Sequence, residues 1–233
     1  PYGRRPPVAR VSAGAVPRLS GPAGSVPVMR LATWNVNSVR TRVDRVIAFL
    51  ERTGTDVLAM QETKCKDEQF PREAFEAAGY EIVTSGFSQW NGVAIASRVG
   101  IDDVQHAFDG QPGWGEDPVT EARALGATCG GVRVWSLYIP NGREVGDPHF
   151  DYKLRWLEAL QQESRRWIEE DPALPVALVG DWNVAPLDTD VWDMAKFAGS
   201  THVTPAERDA FQAFGAGGYT EVSRVHVPAE HTY

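Results

Sequence analysis

Four short apolar runs along the chain each end in a small polar cluster. Leu31-Ala32-Thr33-Trp34 leads into Asn35-Val36-Asn37, and Val57-Leu58-Ala59-Met60 into Gln61-Glu62-Thr63-Lys64. Val134-Trp135-Ser136-Leu137 leads into Tyr138-Ile139-Pro140-Asn141-Gly142, and Val176-Ala177-Leu178-Val179 into Gly180-Asp181-Trp182-Asn183. Continuous apolar runs of this length read as buried strands. Strands are expected near residues 30–36, 56–61, 80–85, 91–97, 101–107, 121–128, 132–138 and 175–180. Val43, Val46, Ile47 and Leu50 follow the i, i+3, i+4, i+7 pattern of an amphipathic helix. Thr41-Arg42-Val43-Asp44 resembles a capping box with Asp in place of Glu, and Gly54 supplies a stop. A long helix is expected over 149–169, with Leu154, Leu157, Leu160, Ser164, Trp167 and Ile168 on one face. A shorter one is expected over 204–214, from the N-cap and N1 pair Thr204-Pro205. With about four helices, eight or more strands, and alternation early in the chain, the pattern predicts α/β layers with a mixed sheet.

In layered α/β proteins, ligands sit beyond the carboxyl ends of the strands. The four strand ends would gather two carboxylates, several amides and one phenol. Carboxylate and amide oxygens suit a hard cation such as Mg²⁺. Glu62 directly follows a strand, where an unpaired carboxylate is costly; it reads as a cation ligand or as the partner of Lys64 or an arginine. Asp181 follows Gly180 and reads as a group that orients water or holds metal, or as a cap on the turn into 184–188. Asn35 and Asn37, two apart, would point the same way at a strand end; the alternative is an Asx-turn leading to the helix at 41. Tyr138 reads as a core aromatic with a bonded hydroxyl or as a group facing the site. Trp90, Trp114 and Trp182 are candidates for stacking on unpaired bases, against the plainer reading of core. The five His are scattered without metal spacing.

The chain has 233 residues, 42% of them hydrophobic, enough for one sizeable core. No stretch approaches the roughly 18 consecutive apolar residues of a membrane span, so no membrane partner is expected. Cys65 and Cys129 are isolated, which suits a reducing cytoplasm. Net charge is −8, and residues 1–28 hold four Arg, six Pro, four Gly and no acid, leaving −12 on the remainder. That balance runs against nucleic-acid binding, which usually leaves a basic footprint. Local basic groups remain in Arg40, Arg42, Lys64, Lys66, Arg143, Lys153 and Arg155, and site carboxylates count against the cation they bind. Residues 1–28 are expected to be disordered or a mis-called extension before Met29.

Five stretches carry a resemblance: Thr33-Trp34-Asn35-Val36-Asn37-Ser38-Val39-Arg40, Gln61-Glu62-Thr63-Lys64, Asn91-Gly92-Val93-Ala94-Ile95, Leu137-Tyr138-Ile139-Pro140-Asn141-Gly142, and Gly180-Asp181-Trp182-Asn183-Val184-Ala185-Pro186. In this order and spacing they resemble exonuclease III and the abasic-site endonucleases, of the endonuclease/exonuclease/phosphatase superfamily. The resemblance implies two mixed β-sheets packed face to face with helices on the outside, a four-layer sandwich. It implies Glu62 as principal ligand of Mg²⁺ (or Mn²⁺) and Asn35 in the shell of the metal or catalytic Asp. It implies Asp181 as activator of the attacking water, Asn183 as holder of phosphate or metal, Tyr138 and Asn141 on the scissile phosphate, and Asn37, Arg40 and Lys64 toward DNA. The implied substrate is double-stranded DNA, cut beside abasic sites or trimmed from 3′ ends in base-excision repair by a monomer. The family's Arg-x-Asp strand and Ser-Asp-His motif do not occur here. The expectation is therefore a single nuclease domain over 29–233 lacking its C-terminal segment, poorly active as it stands. The rival readings are a phosphatase or phosphodiesterase acting on a lipid or small molecule, and a catalytically dead DNA-binding fragment.

Overall fold

Alternation along each strand sorts side chains between two destinations. In the computed structural model, which describes residues 29–228, 230 and 231, the first sheet is built from β1 (Leu31–Asn35), β2 (Val57–Gln61), β3 (Glu81–Ser85) and β4 (Val93–Ser97) in the order β1-β2-β4-β3. The second holds β5 (Asp102–Gln105), β6 (Ala124–Cys129), β7 (Val132–Tyr138) and β8 (Val176–Asp181) in sequence order. Each sheet is antiparallel except for one parallel pair, β1 with β2 and β7 with β8. Two mixed sheets with outer helices are the architecture expected from the resemblance.

Leu31, Val57, Val93 and Ile95 meet Leu125, Ala127, Val134 and Val179 in the seam between the sheets. The intervening residues Leu58, Met60, Ala94 and Ala96 turn the other way, onto α1 (Val43–Thr53) and α2 (Arg72–Ala77). In the second sheet Trp135, Leu137 and Leu178 face α3 (Pro148–Glu170) and α5 (Pro205–Ala216). The parity of the seam face carries Asn35, Gln61, Tyr138 and Asp181 to the mouth of the seam, all at the carboxyl ends of their strands. Gln61 crosses the seam there: its Nε2 donates to Ser136 Oγ at 3.0 Å, and Ser136 Oγ donates to Met60 O at 2.9 Å.

Every residue of β2 is buried, whereas β1 and β8 are half-buried because they lie at sheet edges. α1 begins one residue later than expected: its N-cap is Arg42, and no side chain caps it. Thr41 does not form the capping box, because its hydroxyl donates to Ser38 O instead. Gly54 closes α1 in the left-handed conformation at φ 60°. α5 starts as expected at Thr204-Pro205, with Glu207 completing a capping box. On α3 the expected face is buried through Leu157, Leu160 and Ser164, and His149, Phe150, Tyr152, Lys153, Trp156 and Glu163 join it. The short helices α2, α4 (Met194–Phe197) and α6 (Val222–His226) carry no expected counterpart, being too short to show a period. No helix among the described residues is long and apolar enough to cross a membrane. Residues 1–28, expected to be a disordered or mis-called extension, lie outside the described residues.

Candidate active site

The mouth of the seam is organised around one amide. Asn35 Nδ2 donates to Glu62 Oε1 at 2.8 Å and to Asp181 Oδ2 at 2.7 Å, so a group from the first sheet ties together carboxylates belonging to both. Its Oδ1 accepts from Asn37 N at 3.0 Å. The second Glu62 oxygen is ion-paired to Lys64 Nζ at 2.7 Å, and Lys64 also donates to Asn37 Oδ1 at 2.7 Å. Burial works to raise the Glu62 carboxyl, but the Asn35 hydrogen bond and the Lys64 ammonium outweigh it and hold the group below the usual range. Burial first, and then the Glu62 charge, push the Tyr138 phenol up to about 12, so it is a hydroxyl donor at neutral pH. The Arg123 guanidinium lies 4.9 Å from the Tyr138 ring centroid and is itself held by Glu121 at 2.7 Å. Glu121 also accepts from Asn91 Nδ2 and the Tyr152 hydroxyl, at 3.2 Å each.

On the other side, Asp181 Oδ1 accepts from Asn183 N at 3.0 Å, and Asn183 Nδ2 donates to Ile139 O at 2.9 Å. Asn141 Nδ2 lies 3.4 Å from Asn183 Oδ1 and 3.3 Å from His202 Nε2. His149 Nδ1 accepts from Gly142 N at 3.2 Å. Burial first, and then Arg123 and Arg143, lower its imidazole pKa, which keeps the ring neutral and able to accept.

Seven non-glycine residues at this end of the molecule have left-handed backbones: Asn37, Ser38, Glu62, Lys64, Arg143, Asn183 and His202. Such conformations cost on the order of 1 kcal/mol or more and persist where surrounding structure enforces them, commonly at functional sites. Gly180 is needed at its place: with φ 148°, a Cβ there would sit 1.9 Å from Leu137 O. That closeness lets β8 deliver Asp181 beside Tyr138, its partner in the register.

The structure thus brings together Asn35, Glu62, Tyr138, Asn141, Asp181 and Asn183, with Lys64 and Asn37 at the rim. Asn37 is past the end of β1 rather than on it, and the Asx-turn reading holds through its bond to Asn35. Arg40 is exposed on the short 3-10 turn Val39–Thr41 that follows. Lys153, counted among the basic groups open to a polyanion, is instead fully buried against Glu207. Trp114 packs on His149 and Tyr152, and Trp182 on Phe211 and Phe214, as core aromatics, while Trp90 is 74% exposed. Two of the five scattered His, His202 and His149, also reach this end of the molecule. The position of His202 carries no signal, since its contact with Asn141 joins segments 61 residues apart, whereas His149 lies only seven residues past Gly142.

The donor chemistry fits a hard, hydrated cation. Among the described residues no cluster of three His, Cys, Asp or Glu is assembled, which disfavours a zinc-type cage. Mg²⁺ keeps several waters and is held through one or two carboxylates, a requirement Glu62 and Asp181 meet. The Asn35 amide nitrogen aligns the two carboxylates, while its oxygen accepts from Asn37 N.

Residues 32–229 match the family described as Endonuclease/Exonuclease/phosphatase. The chain belongs to this family. It is 29% identical over 168 residues to exodeoxyribonuclease III of Haemophilus influenzae, covering 70% of this chain and 60% of that one. A solved AP endonuclease from Archaeoglobus fulgidus superposes with a TM-score of 0.81 at 33% identity, covering 88% of this chain and 77% of that one. The Neisseria 3′ phosphatase NExo, bound to a product DNA hairpin, gives 0.79 at 34% identity, covering 87% and 76%. The chain therefore spans about three fifths of the Haemophilus relative. Members of the family are hydrolytic enzymes, and the described site lies on the stretches that carried the resemblance.

Proposed function

We propose that the protein is a metal-dependent DNA phosphodiester hydrolase of the exonuclease III type, cutting beside abasic sites and trimming 3′ ends in base-excision repair. The observation that carries this reading is the Asn35 amide shared between Glu62 and Asp181, beside the Tyr138 hydroxyl and the Asn141 and Asn183 amides. In hydrolysis a water oxygen bonds to phosphorus, the P–O3′ bond breaks, and the freed 3′ oxygen takes a proton. Asp181, fixed by Asn35 and by Asn183 N, orients the water and accepts its proton. Tyr138, Asn183 and Asn141 present hydroxyl and amide groups to the phosphoryl oxygens. Glu62, with Asp181, Asn35 and Asn183 around it, would hold a Mg²⁺ or Mn²⁺ ion, which would supply charge neutralisation at the phosphate. Asn37, Arg40 and Lys64 line the rim where a backbone would pass, and Arg42, Lys66 and Arg143 lie on neighbouring loops. This local basic edge offsets the net charge of −8. The AP endonuclease and the DNA-bound NExo among the similar structures support a DNA substrate.

The test uses the protein expressed from its complete gene and a labelled duplex carrying one tetrahydrofuran abasic analogue, with Mg²⁺ or with chelator. Mg²⁺-dependent incision that Asp181→Asn abolishes, with duplex binding retained, is the expected outcome. An intact duplex together with release of phosphate from a phospholipid or sugar phosphate would replace DNA by a small-molecule substrate.

A further inference from the structure

Beneath the two asparagine loops lies a charged pair that the hydrolysis reading leaves unused. Lys153 and Glu207 have fully buried side chains, come from α3 and α5, and are ion-paired. Lys153 Nζ also donates to Asn141 O at 3.3 Å and to Asn183 O at 2.5 Å, so its three hydrogens go to three acceptors. Those carbonyls belong to the loops after β7 and β8. Glu207 Oε1 accepts from Thr201 Oγ1 at 2.6 Å and His202 N at 2.8 Å. Its Oε2 accepts from Thr204 N at 3.1 Å and Thr204 Oγ1 at 2.7 Å. Thr201 Oγ1, its one proton directed to Glu207, also lies 3.2 Å from Asn141 O, and His202 Nδ1 donates to Asn183 O at 2.5 Å. Three separate chain segments therefore converge on one ammonium–carboxylate pair.

Burying such a pair is expensive, and apolar side chains of similar volume often fill the same space without loss of stability. Apolar side chains cannot fix the distance between two carbonyls on neighbouring loops. Two residues held by the pair, Asn183 at φ 49° and His202 at φ 78°, have strained backbones that need enforcing. We propose that Lys153 and Glu207 are positioning residues for the nuclease site: they lock the loops after β7 and β8 to one another so that the Asn141 and Asn183 amides are presented together to the phosphate. The role rests on the hydrolysis reading above.

The test compares the complete protein with Lys153→Met/Glu207→Gln, which removes both charges while leaving an acceptor for Thr201 and His202. Three quantities are read: the urea midpoint, kcat and KM on the abasic duplex, and hydrogen exchange of segments 139–143 and 181–185. At near wild-type stability, kcat is expected to fall about a hundredfold with KM changed by less than about threefold, the signature of misplaced groups. Exchange in the two segments is expected to rise about tenfold with the rest of the chain unchanged. A purely stabilising pair predicts the opposite, a rate that survives wherever stability does, and wild-type kcat and exchange in the folded double variant overturn the proposal. Should that variant not fold, the ammonium of Lys153 in the wild-type protein decides: a solvent-protected lysine NH₃⁺ resonance, assigned by its loss in Lys153→Arg, is expected, and its absence overturns the clamp. If the wild-type protein leaves the duplex intact, the hydrolysis reading fails, and the exchange and resonance measurements still judge the clamp separately.

Discussion

Replacing Asn35 by alanine removes an amide that touches both carboxylates, and its consequences can be worked out bond by bond. Two charge-assisted hydrogen bonds are lost, at 2.8 Å to Glu62 and 2.7 Å to Asp181, together with the 3.0 Å bond that orders Asn37 N. Hydrogen bonds to charged groups contribute about 1.5–3 kcal/mol each when nothing replaces them. Here the site is only half-buried, so water fills the vacated volume and recovers much of that; a net loss of about 2 kcal/mol is the reasonable figure. For a chain of this size that lowers the melting temperature by about 4–8 °C. The burial that raises the Glu62 carboxyl persists while the largest opposing hydrogen bond disappears, so its pKa rises. The acid limb of the pH–rate profile should therefore move to higher pH. Left with only the bond from Asn183 N, Asp181 loses its aim, and a misplacement on the order of 1 Å costs about a hundredfold in rate. The assay pairs urea denaturation at pH 7 with steady-state incision of the abasic duplex from pH 5 to 8. A double-mutant cycle with Asp181→Asn isolates the shared bond, for which a coupling of about 1 kcal/mol is expected. An Asn35→Ala variant with wild-type kcat, an unmoved acid limb and stability within about 0.5 kcal/mol would refute the bridging role.

Glu62→Gln keeps the size of the side chain and removes its charge: Mg²⁺ should raise the melting temperature of the wild-type protein and leave that of the variant unchanged, read by calorimetry with and without the ion. Glu62 and Glu121 have carboxyls held below the ordinary range, with burial opposing and hydrogen bonds prevailing. Depressed folded-state pKa values stabilise above the unfolded value of about 4.3 and lose that contribution as pH falls through the folded values, so urea midpoints should be flat near neutrality and fall below about pH 4.3, less steeply in Glu121→Gln. Gly180→Ala places a Cβ 1.9 Å from Leu137 O at φ 148°, which prises β8 from β7; a loss on the order of 4 kcal/mol in urea is expected, with incision lost alongside.

Much of this arrangement can be read from the linear pattern, and the limits have physical causes. Strand ends are legible because apolar runs stop abruptly at polar residues, and Glu62, Asp181 and Tyr138 stand at those stops. Parity goes further: counting in twos from Leu31, Val57, Val132 and Ala177 puts Asn35, Gln61, Tyr138 and Asp181 on one face. Gln61 could have been singled out in this way as the residue that crosses the seam. The strain at Glu62 and Asn183 has no such signature, since neither residue is a glycine. Lys153 shows the opposite failure. A lysine on an amphipathic helix reads as a solvated group, and only a glutamate more than fifty residues later makes its burial tolerable. Contacts of that range, like those of His202, depend on tertiary closure and leave no local periodicity.

The placement of the site also ties its chemistry to the packing of the two sheets. Asn35 belongs to the first sheet and Asp181 to the second, so the 2.7 Å bond between them exists only while the seam is closed. The seam is apolar along its length, through Val57, Ile95, Leu125, Ala127 and Val134, until Gln61 and Ser136 begin the polar mouth. Parallel pairing within β1–β2 and β7–β8 directs all four carboxyl ends to the same edge. An antiparallel neighbour would have turned one of those ends to the far side. The antiparallel strands contribute with their beginnings instead: Asn91 and Gly92 precede β4, and Glu121 and Arg123 precede β6. Those residues brace Lys64 and Tyr138 from behind, through Lys64 N donating to Asn91 O and Arg123 stacking on the Tyr138 ring. A volume change in the seam, such as Val134→Ala, should therefore reach the carboxylates without touching them, by altering how close the sheets lie where Asn35 must span both.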